Sequence, residues 1–327
     1  MKLRRIGTTL MAAALTLSLG AGLTGCGETR QSYTIGICQQ MPHQALDDAT
    51  RGFRDAVIEG LGADNVEFLE QNAQGDTTVC TTIITDFVTK NVDLIMANAT
   101  GALQAAANGT ATIPVLGTSV SDYSSALGLT DFNGVVGTNV SGCSDLSPLD
   151  QQAAIIPDLF PDAKVVGLLY SSSEANSVYQ VNMVRDYLEG QGLTCEDFSY
   201  SDANDIAAVS KAAAAACDVL YIPTDNNAAT FAETINGAVL PTGTPIVGGD
   251  AGICAGCGVA TLAIDYYDLG VATGKMAVKV LTGEARIEEL PIAYAEKSTR
   301  LYNPVNCAEL NIDTAQLEAK GYTAIEG

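Results

Sequence analysis

Residues 164–198 read KVVGLLYSSSEANSVYQVNMVRDYLEGQGLTCEDF, and this stretch decides the fold. Lys164–Tyr170 is apolar at almost every position, as a strand buried on both faces of a parallel sheet must be. Glu174–Gly190 follows as a long amphipathic run, and Leu193–Phe198 reads as the next strand. A strand, a crossover helix and a second strand form a βαβ unit, which generates parallel pairing.

The same alternation extends in both directions. Upstream, strands are expected at Tyr33–Cys38, Val66–Leu69, Val92–Ala97, Ile113–Gly117 and Val135–Thr138. Helices are expected at His43–Gly62, Thr77–Lys90, Gly101–Gly109 and Pro148–Phe160. Downstream come helices at Ala203–Ala216, Asn226–Val239 and Tyr266–Leu281, with strands at Val219–Pro223, Pro245–Gly249 and Val259–Ile264. The fold class is therefore α/β, with doubly wound parallel sheets in two similar halves.

The chain has 327 residues, 47% hydrophobic and 17% charged, which is too apolar for a disordered acidic segment and long enough for two domains. Asp and Glu number 38 against 16 Lys and Arg, a formal charge of -22 that repels nucleic-acid phosphates. A single histidine excludes motifs that need two, such as the paired-His zinc helix. No Gly-x-Ser-x-Gly elbow, Walker sequence or Gly-x-Gly-x-x-Gly turn is present, so an enzyme is not expected. No cofactor is expected either. The chain has no Trp, so any aromatic contact to a ligand must come from Tyr or Phe.

The first residues read as an address. Lys2, Arg4 and Arg5 precede an apolar run to Leu23, and Leu23-Thr24-Gly25-Cys26 resembles a lipobox. Residues 1–25 are expected to be a lipoprotein signal peptide, Cys26 the lipidated mature N-terminus and 26–32 an anchor linker. That leader would remove three basic residues and no acidic one, so the mature chain would be more acidic still. Eight further cysteines remain, including Cys254-Ala-Gly-Cys257. One CxxC with one His is not a zinc site, so a local disulfide or plain thiols are expected there. Cys195 and Cys217 flank strands of one half and are a conceivable disulfide pair.

Ligands of open parallel sheets sit at the carboxyl ends of strands, facing helix N-termini. Five such ends are polar: Gln39 to His43, Asn98 to Gly101, Ser171 to Ser177, Thr224 to Asn227, and Gly249-Asp250. Hydroxyls with helix N-termini suit a carboxylate, and Glu174, Asp225 or Asp250 suits an ammonium group. Ser, Thr, Asp and Asn are also the preferred N-caps, so each position has a purely structural reading as well.

These residues, taken in order, resemble the lipoprotein substrate-binding component of an ABC importer, in the subgroup that binds aromatic amino acids. The resemblance rests on Gly36 to Gln39 with His43 to Asp47, Gln71 to Asp76, Ser144 to Pro148 and Ser172 to Ser177. Pro223 to Asn226 and Ala260 to Gly270 complete it. It implies a type I periplasmic-binding-protein fold, in which two lobes joined by three crossovers trap ligand between them. Lobe 1 would be 33–143 plus 251–288, and lobe 2 would be 144–250 plus 289–327. It also implies a permease and an ATPase as partners, an extracytoplasmic, lipid-anchored monomer, and an amino-acid ligand (Trp, Phe or Tyr). The matching cleft positions are Gln39, His43, Thr100, Asp122, Ser144, Asp145, Ser172, Glu174, Asn176, Thr224, Asp225, Asn226 and Asp250. Thr100 and Ser172 would hold the carboxylate, and Asp225 or Asp250 the ammonium. The chain departs from the family at Gln40, which replaces an aromatic residue near the side-chain pocket, and Tyr123 is a candidate substitute. A solute receptor of the same fold for a nucleoside or sugar is the alternative.

Overall fold

Apolar strands flanked by amphipathic helices settle into sheets covered on both faces, and the chain builds two of them. The computed structural model describes residues 32–295 and 297–325. The expected signal peptide, the Cys26 lipidation site and nearly all of the expected linker lie outside the described residues. The first lobe starts with β1 (Tyr33–Gln39), α1 (Gln44–Leu61), β2 (Val66–Asn72), α2 (Thr77–Thr89) and β3 (Leu94–Asn98). It continues with α3 (Thr100–Gly109), β4 (Val115–Val120), α4 (Tyr123–Leu127) and β5 (Val140–Ser144). The second lobe holds α5 (Leu149–Ala153), α6 (Ile155–Leu159), β6 (Val165–Ser171), α7 (Ala175–Gly190), β7 (Thr194–Tyr200) and α8 (Ile206–Ala216). Next come β8 (Val219–Ile222), α9 (Asn226–Thr230), α10 (Ala232–Val239), β9 (Ile246–Gly248), α11 (Ala251–Gly256) and β10 (Ala260–Ile264). The chain then returns to the first lobe for α12 (Tyr266–Leu281) and β11 (Ala293–Tyr294). It ends in the second with β12 (Ser298–Tyr302), α13 (Pro304–Glu309), α14 (Thr314–Ala319) and β13 (Thr323–Ala324).

Sheet order is β11-β5-β4-β3-β1-β2 in lobe 1 and β13-β12-β10-β9-β8-β6-β7 in lobe 2. Every ladder is parallel except β10–β12. The chain passes between the lobes three times: after β5, after β10 and after β11. The return expected at residue 251 comes later, because β10 pairs with β9 and β12 and so belongs to lobe 2. Likewise β11, expected in lobe 2, pairs with β5 in lobe 1.

Both faces of each sheet are buried. Val166, Leu168, Val219 and Tyr221 pack under Val181, Val184 and Leu188 of α7. Leu169, Leu220 and Ile222 face the other way, toward α8 and α10. Truncating one of these, such as Leu168→Ala, costs about 2–5 kcal/mol. In lobe 1, Ile35 and Ile37 meet α1 and α12, while Cys38 and Ile95 meet α2 and α3. Helices α1 and α12 touch backbone to backbone. A Cβ on Gly52 would stand 2.1 Å from the Tyr267 carbonyl oxygen, and one on Gly270 2.0 Å from that of Ala49. Only glycine permits this approach, which locks α1 against α12.

Several elements depart from expectation for local reasons. Val135–Thr138 is not a strand; Val135 makes only an isolated bridge to Pro291. Gly134 (φ +94°) and Gly137 (φ +77°) turn the chain there, and the strand is β5 instead. The helix expected over Pro148–Phe160 divides into α5 and α6, since Pro157 has no N–H to offer the Ala153 carbonyl. The helix expected over Asn226–Val239 breaks at Phe231. All eight cysteines among the described residues are free thiols. Strand β6 lies between the strands beside Cys195 and Cys217. Two ladder spacings of about 4.8 Å exceed disulfide reach.

Candidate functional site

The carboxyl ends of β1, β3 and β4 in lobe 1 and of β6, β8 and β9 in lobe 2 carry the polar residues. Hydrogen bonds cross directly between the lobes. His43 Nε2 lies 3.1 Å from Asn226 Oδ1, and Gln180 Nε2 donates to Ser121 Oγ at 3.2 Å. The Asn226 amide is oriented by Glu174, which accepts from its Nδ2 at 2.6 Å. Its oxygen therefore faces His43, and His43 Nε2 is the donor.

Lobe 2 presents a saturated frame. Glu174, at the N-terminus of α7, accepts from the backbone and side-chain nitrogens of both Asn226 and Asn227 and from Asn176 Nδ2. Asn176 Nδ2 also donates to the Thr224 carbonyl at 3.0 Å. Asp225 caps α9 through Ala228 N (2.8 Å), and accepts from Ser171 N (2.7 Å) and Tyr200 OH (3.2 Å). Burial, and then the neighbouring Glu174 charge, push Asp225 up to about 7. Thr224 is held by Gln180, whose Oε1 accepts from Thr224 N and whose Nε2 donates to its carbonyl.

Asp145 and Asp250 are both buried and both lie near Tyr266. Asp145, just past β5, accepts from Ser121 Oγ and Tyr266 OH, each at 2.8 Å. Burial raises its pKa against those two bonds. Asp250 caps α11 through Ile253 N at 2.8 Å. Burial raises it to about 6, with Asp145 adding to the rise and His43 and the Ile253 N–H opposing it. Tyr266 feels both carboxyls and hydrogen-bonds Thr224, so it joins buried Asp145 and Asp250 to half-buried Thr224. The ion pairs found among the described residues are made by Arg51, Arg54, Lys90, Arg185, Arg286 and Lys320, all away from this cluster. Two buried carboxyls with no lysine or arginine partner favour a cationic guest.

Lobe 1 presents an incomplete wall. Ala99 (φ +87°) and Ser119 (φ +55°) hold left-handed backbone at the ends of β3 and β4. The β4–β5 register slips between Gly117 and Val120, a bulge that re-aims the strand end. Asn98 Oδ1, Thr118 Oγ1 and Ser119 Oγ are buried without a hydrogen-bond partner. Thr100, also buried, is the first residue of α3. Strained backbone and orphaned polar atoms together mark a functional wall. A carboxylate there would meet hydroxyls and a helix N-terminus.

The remaining expected positions fall outside the centre. Gln39 faces inward, bonding Asp47, the Met41 carbonyl and Thr50, and so braces α1 from behind. Ser144 Oγ donates to the Ser121 carbonyl at the hinge. Asp122 caps α4 and lies on the flank near Tyr179. Ser172 is exposed, with its hydroxyl on the Tyr200 carbonyl, away from lobe 1. Gln40 Oε1 accepts from Gly101 N at 2.7 Å, and Tyr123 is core, donating to the Cys143 carbonyl. Tyr123 therefore supplies no ring to the cleft. Ser121, Gln180 and Tyr266 were not anticipated. Tyr266 lies within the matching run Ala260 to Gly270, the one available signal. Gln180 sits mid-helix, where nothing in sequence distinguishes it.

Comparison with known proteins agrees with this geometry. The model of the ABC transporter substrate binding protein family matches residues 34–318. A tyrosine-binding protein of Clostridioides difficile (strain R20291) is 30% identical over 319 residues, covering 92% of this chain and 91% of that protein. A Streptococcus pneumonia ABC domain in complex with L-Trp is 33% identical with TM-score 0.85, covering 90% of this chain and all (100%) of that one. A ligand-free, open substrate binding protein with adhesive properties from Clostridium difficile is 31% identical over the same shares, 90% and 100%, with TM-score 0.69. In the present chain the two lobes touch directly, through His43–Asn226 and Gln180–Ser121 among others. Among the described residues, no helix is long and apolar enough to cross a membrane.

Proposed function

This chain belongs to the ABC transporter substrate-binding protein family, and from that premise we propose that its interlobe cleft takes an aromatic amino acid for delivery to a permease. Family members work outside the cytoplasm and bind without transforming their ligand. The observation that carries the amino-acid reading is the Asp145–Asp250 pair, buried at the cleft without a lysine or arginine partner. An α-ammonium group supplies the missing cation and would hold both carboxyls ionised. Asp250 takes this role in preference to Asp225, whose oxygens are already committed to Ser171, Tyr200 and Ala228. Thr100 and the first turn of α3 hold the carboxylate, with Thr118 and Ser119 behind them.

The aromatic preference follows the relatives named for tyrosine and found with L-Trp. Ligand bridging the two walls favours the closed state by its differential contacts there. His43–Asn226 and Gln180–Ser121 add direct bonds to that state. The closed monomer then docks on its permease, which an ATPase powers. Cys26 carries the lipid that keeps the protein at the outer membrane face.

Calorimetric titration of the mature protein with Trp, Phe, Tyr, other amino acids, sugars and nucleosides tests the reading. Binding of an aromatic amino acid is expected. Binding of a sugar or nucleoside with no response to any amino acid would overturn the ligand class.

A further inference from the structure

Two buried nucleophilic side chains in lobe 1 take no part in the cleft chemistry. They are Cys38, the penultimate residue of β1, and Cys80, in the first turn of α2. We propose that Cys38 and Cys80 form a disulfide bond in the exported protein.

The register of helix over strand places them together. Helix α2 runs back over β1, and Phe87 covers Gly36: a Cβ on Gly36 would stand 2.5 Å from Phe87 Cδ2. Cys38 lies two residues further along β1, on the same face of the strand. Cys80 lies two helical turns before Phe87, on the same face of α2. The two side chains thus meet over the sheet, both fully buried in one cluster. Each thiol is near enough to perturb the other: Cys80 raises the pKa of Cys38, and Cys38 lowers that of Cys80.

Cys254 lies near Cys257 and Cys307, and its pKa is raised chiefly by burial. Cys257 and Cys307 donate to backbone carbonyls, Cys143 to Met276 Sδ, and Cys195 is separated from Cys217 by a strand. The extracytoplasmic setting of the family is where disulfides form and persist. The inference depends on that location and not on the identity of the cleft ligand.

The chemistry balances with an exogenous disulfide as oxidant, either a small-molecule disulfide or a thiol–disulfide oxidoreductase. One thiolate of the pair attacks it, releasing one thiol and leaving a mixed disulfide. The second protein thiolate displaces the other half. Two protein S–H bonds are lost and one S–S bond forms, while the oxidant's S–S bond breaks and its two sulfurs leave as thiols carrying the two protons and two electrons. Both sulfurs are inaccessible in the folded lobe, so the bond forms before α2 docks. Once made, it ties the strand bearing Gln39 and Gln40 to the start of α2.

The test uses the full chain exported to an oxidising compartment. It is denatured without reductant, alkylated with iodoacetamide, digested and analysed by mass spectrometry. Cys38 and Cys80 should escape alkylation and appear in one joined peptide, and reduction should add a label to each. Alkylation of both without reductant, or either cysteine joined to a different partner, overturns the proposal. Exported protein reduced in denaturant and refolded with reductant should also melt at a lower temperature than the untreated protein, and the paired Cys38→Ala and Cys80→Ala variant should lose that difference. A wild-type Tm unchanged by reduction and refolding, or a double variant that keeps the drop, overturns it equally.

Discussion

The two walls of the cleft are built on opposite principles. In lobe 2 the carboxylates are spent on the protein: Glu174 gathers both Asn226 and Asn227, and Asp225 joins β6, β7 and α9. In lobe 1 the ends of β3 and β4 carry left-handed Ala99 and Ser119 with unpaired Asn98, Thr118 and Ser119 atoms. A saturated wall serves as a rigid reference surface. An unsatisfied, strained wall stores free energy that a bound polar group can release. The Glu174–Asp225 frame of lobe 2 should therefore respond to mutation through stability, and lobe 1, together with Asp250 opposite it, through affinity.

The largest effect should come from Glu174→Ala. Removing the shared acceptor leaves the donors of Asn226 and Asn227 unpaired and should cost about 3 kcal/mol or more in urea unfolding. A stability change under about 1 kcal/mol would break the contrast, since exposed sites give values of that size.

The pH dependence of the ligand-free protein is the second test. Asp225 and Asp250 sit at about 7 and about 6, above the ordinary 3.8, so between these values the folded state binds more protons than the unfolded. Their contribution to stability is full below about 3.8 and is lost as pH rises toward 7. Asp225→Asn should flatten that slope in thermal melts across pH 4 to about 7.5. An amino-acid ligand should raise Tm more at the upper end, where its ammonium meets ionised carboxyls; a ligand shift that shrinks with pH would contradict the ammonium role.

Asp250→Asn should weaken amino-acid binding by about 10- to 100-fold, the loss of a charge-assisted hydrogen bond. Calorimetry showing equal affinity would move the ammonium elsewhere. Ser119→Gly should act in opposite directions on the two readouts. Glycine accepts φ +55° and removes an orphaned hydroxyl, so unfolding stability should rise by about 1 kcal/mol while affinity falls. A drop in both would mean that the wall is not strained. The smallest effect belongs to His43→Ala, which loses one cross-lobe bond and should reduce affinity by about 2- to 10-fold.

How much of this was legible depends on how far apart the interacting groups lie in the chain. Strand and helix periods were readable because burial on both faces leaves an unbroken apolar run, as at Val165–Ser171. The error at Val135–Thr138 came from Gly134 and Gly137, whose left-handed torsions no composition announces. The lobe boundary at 251 failed because β10 joins its sheet through partners before and after it, β9 and β12. Asp225 and Asp250 look alike in sequence, each at a strand end before a short helix. They differ in that Asp225 is also reached by Ser171 and Tyr200, from strands 54 and 25 residues away in the chain.

The sequence by itself determined the α/β class, the twofold series of parallel units and the polar strand ends, because local pattern encodes which faces must be buried. Tertiary structure alone decided which of those polar groups are spent on the protein and which remain for a ligand. That choice rests on hydrogen bonds between distant segments: Tyr266 to Asp145, Gln180 to Ser121, His43 to Asn226. A carboxyl at a strand end is only an N-cap until the fold shows what its second oxygen faces.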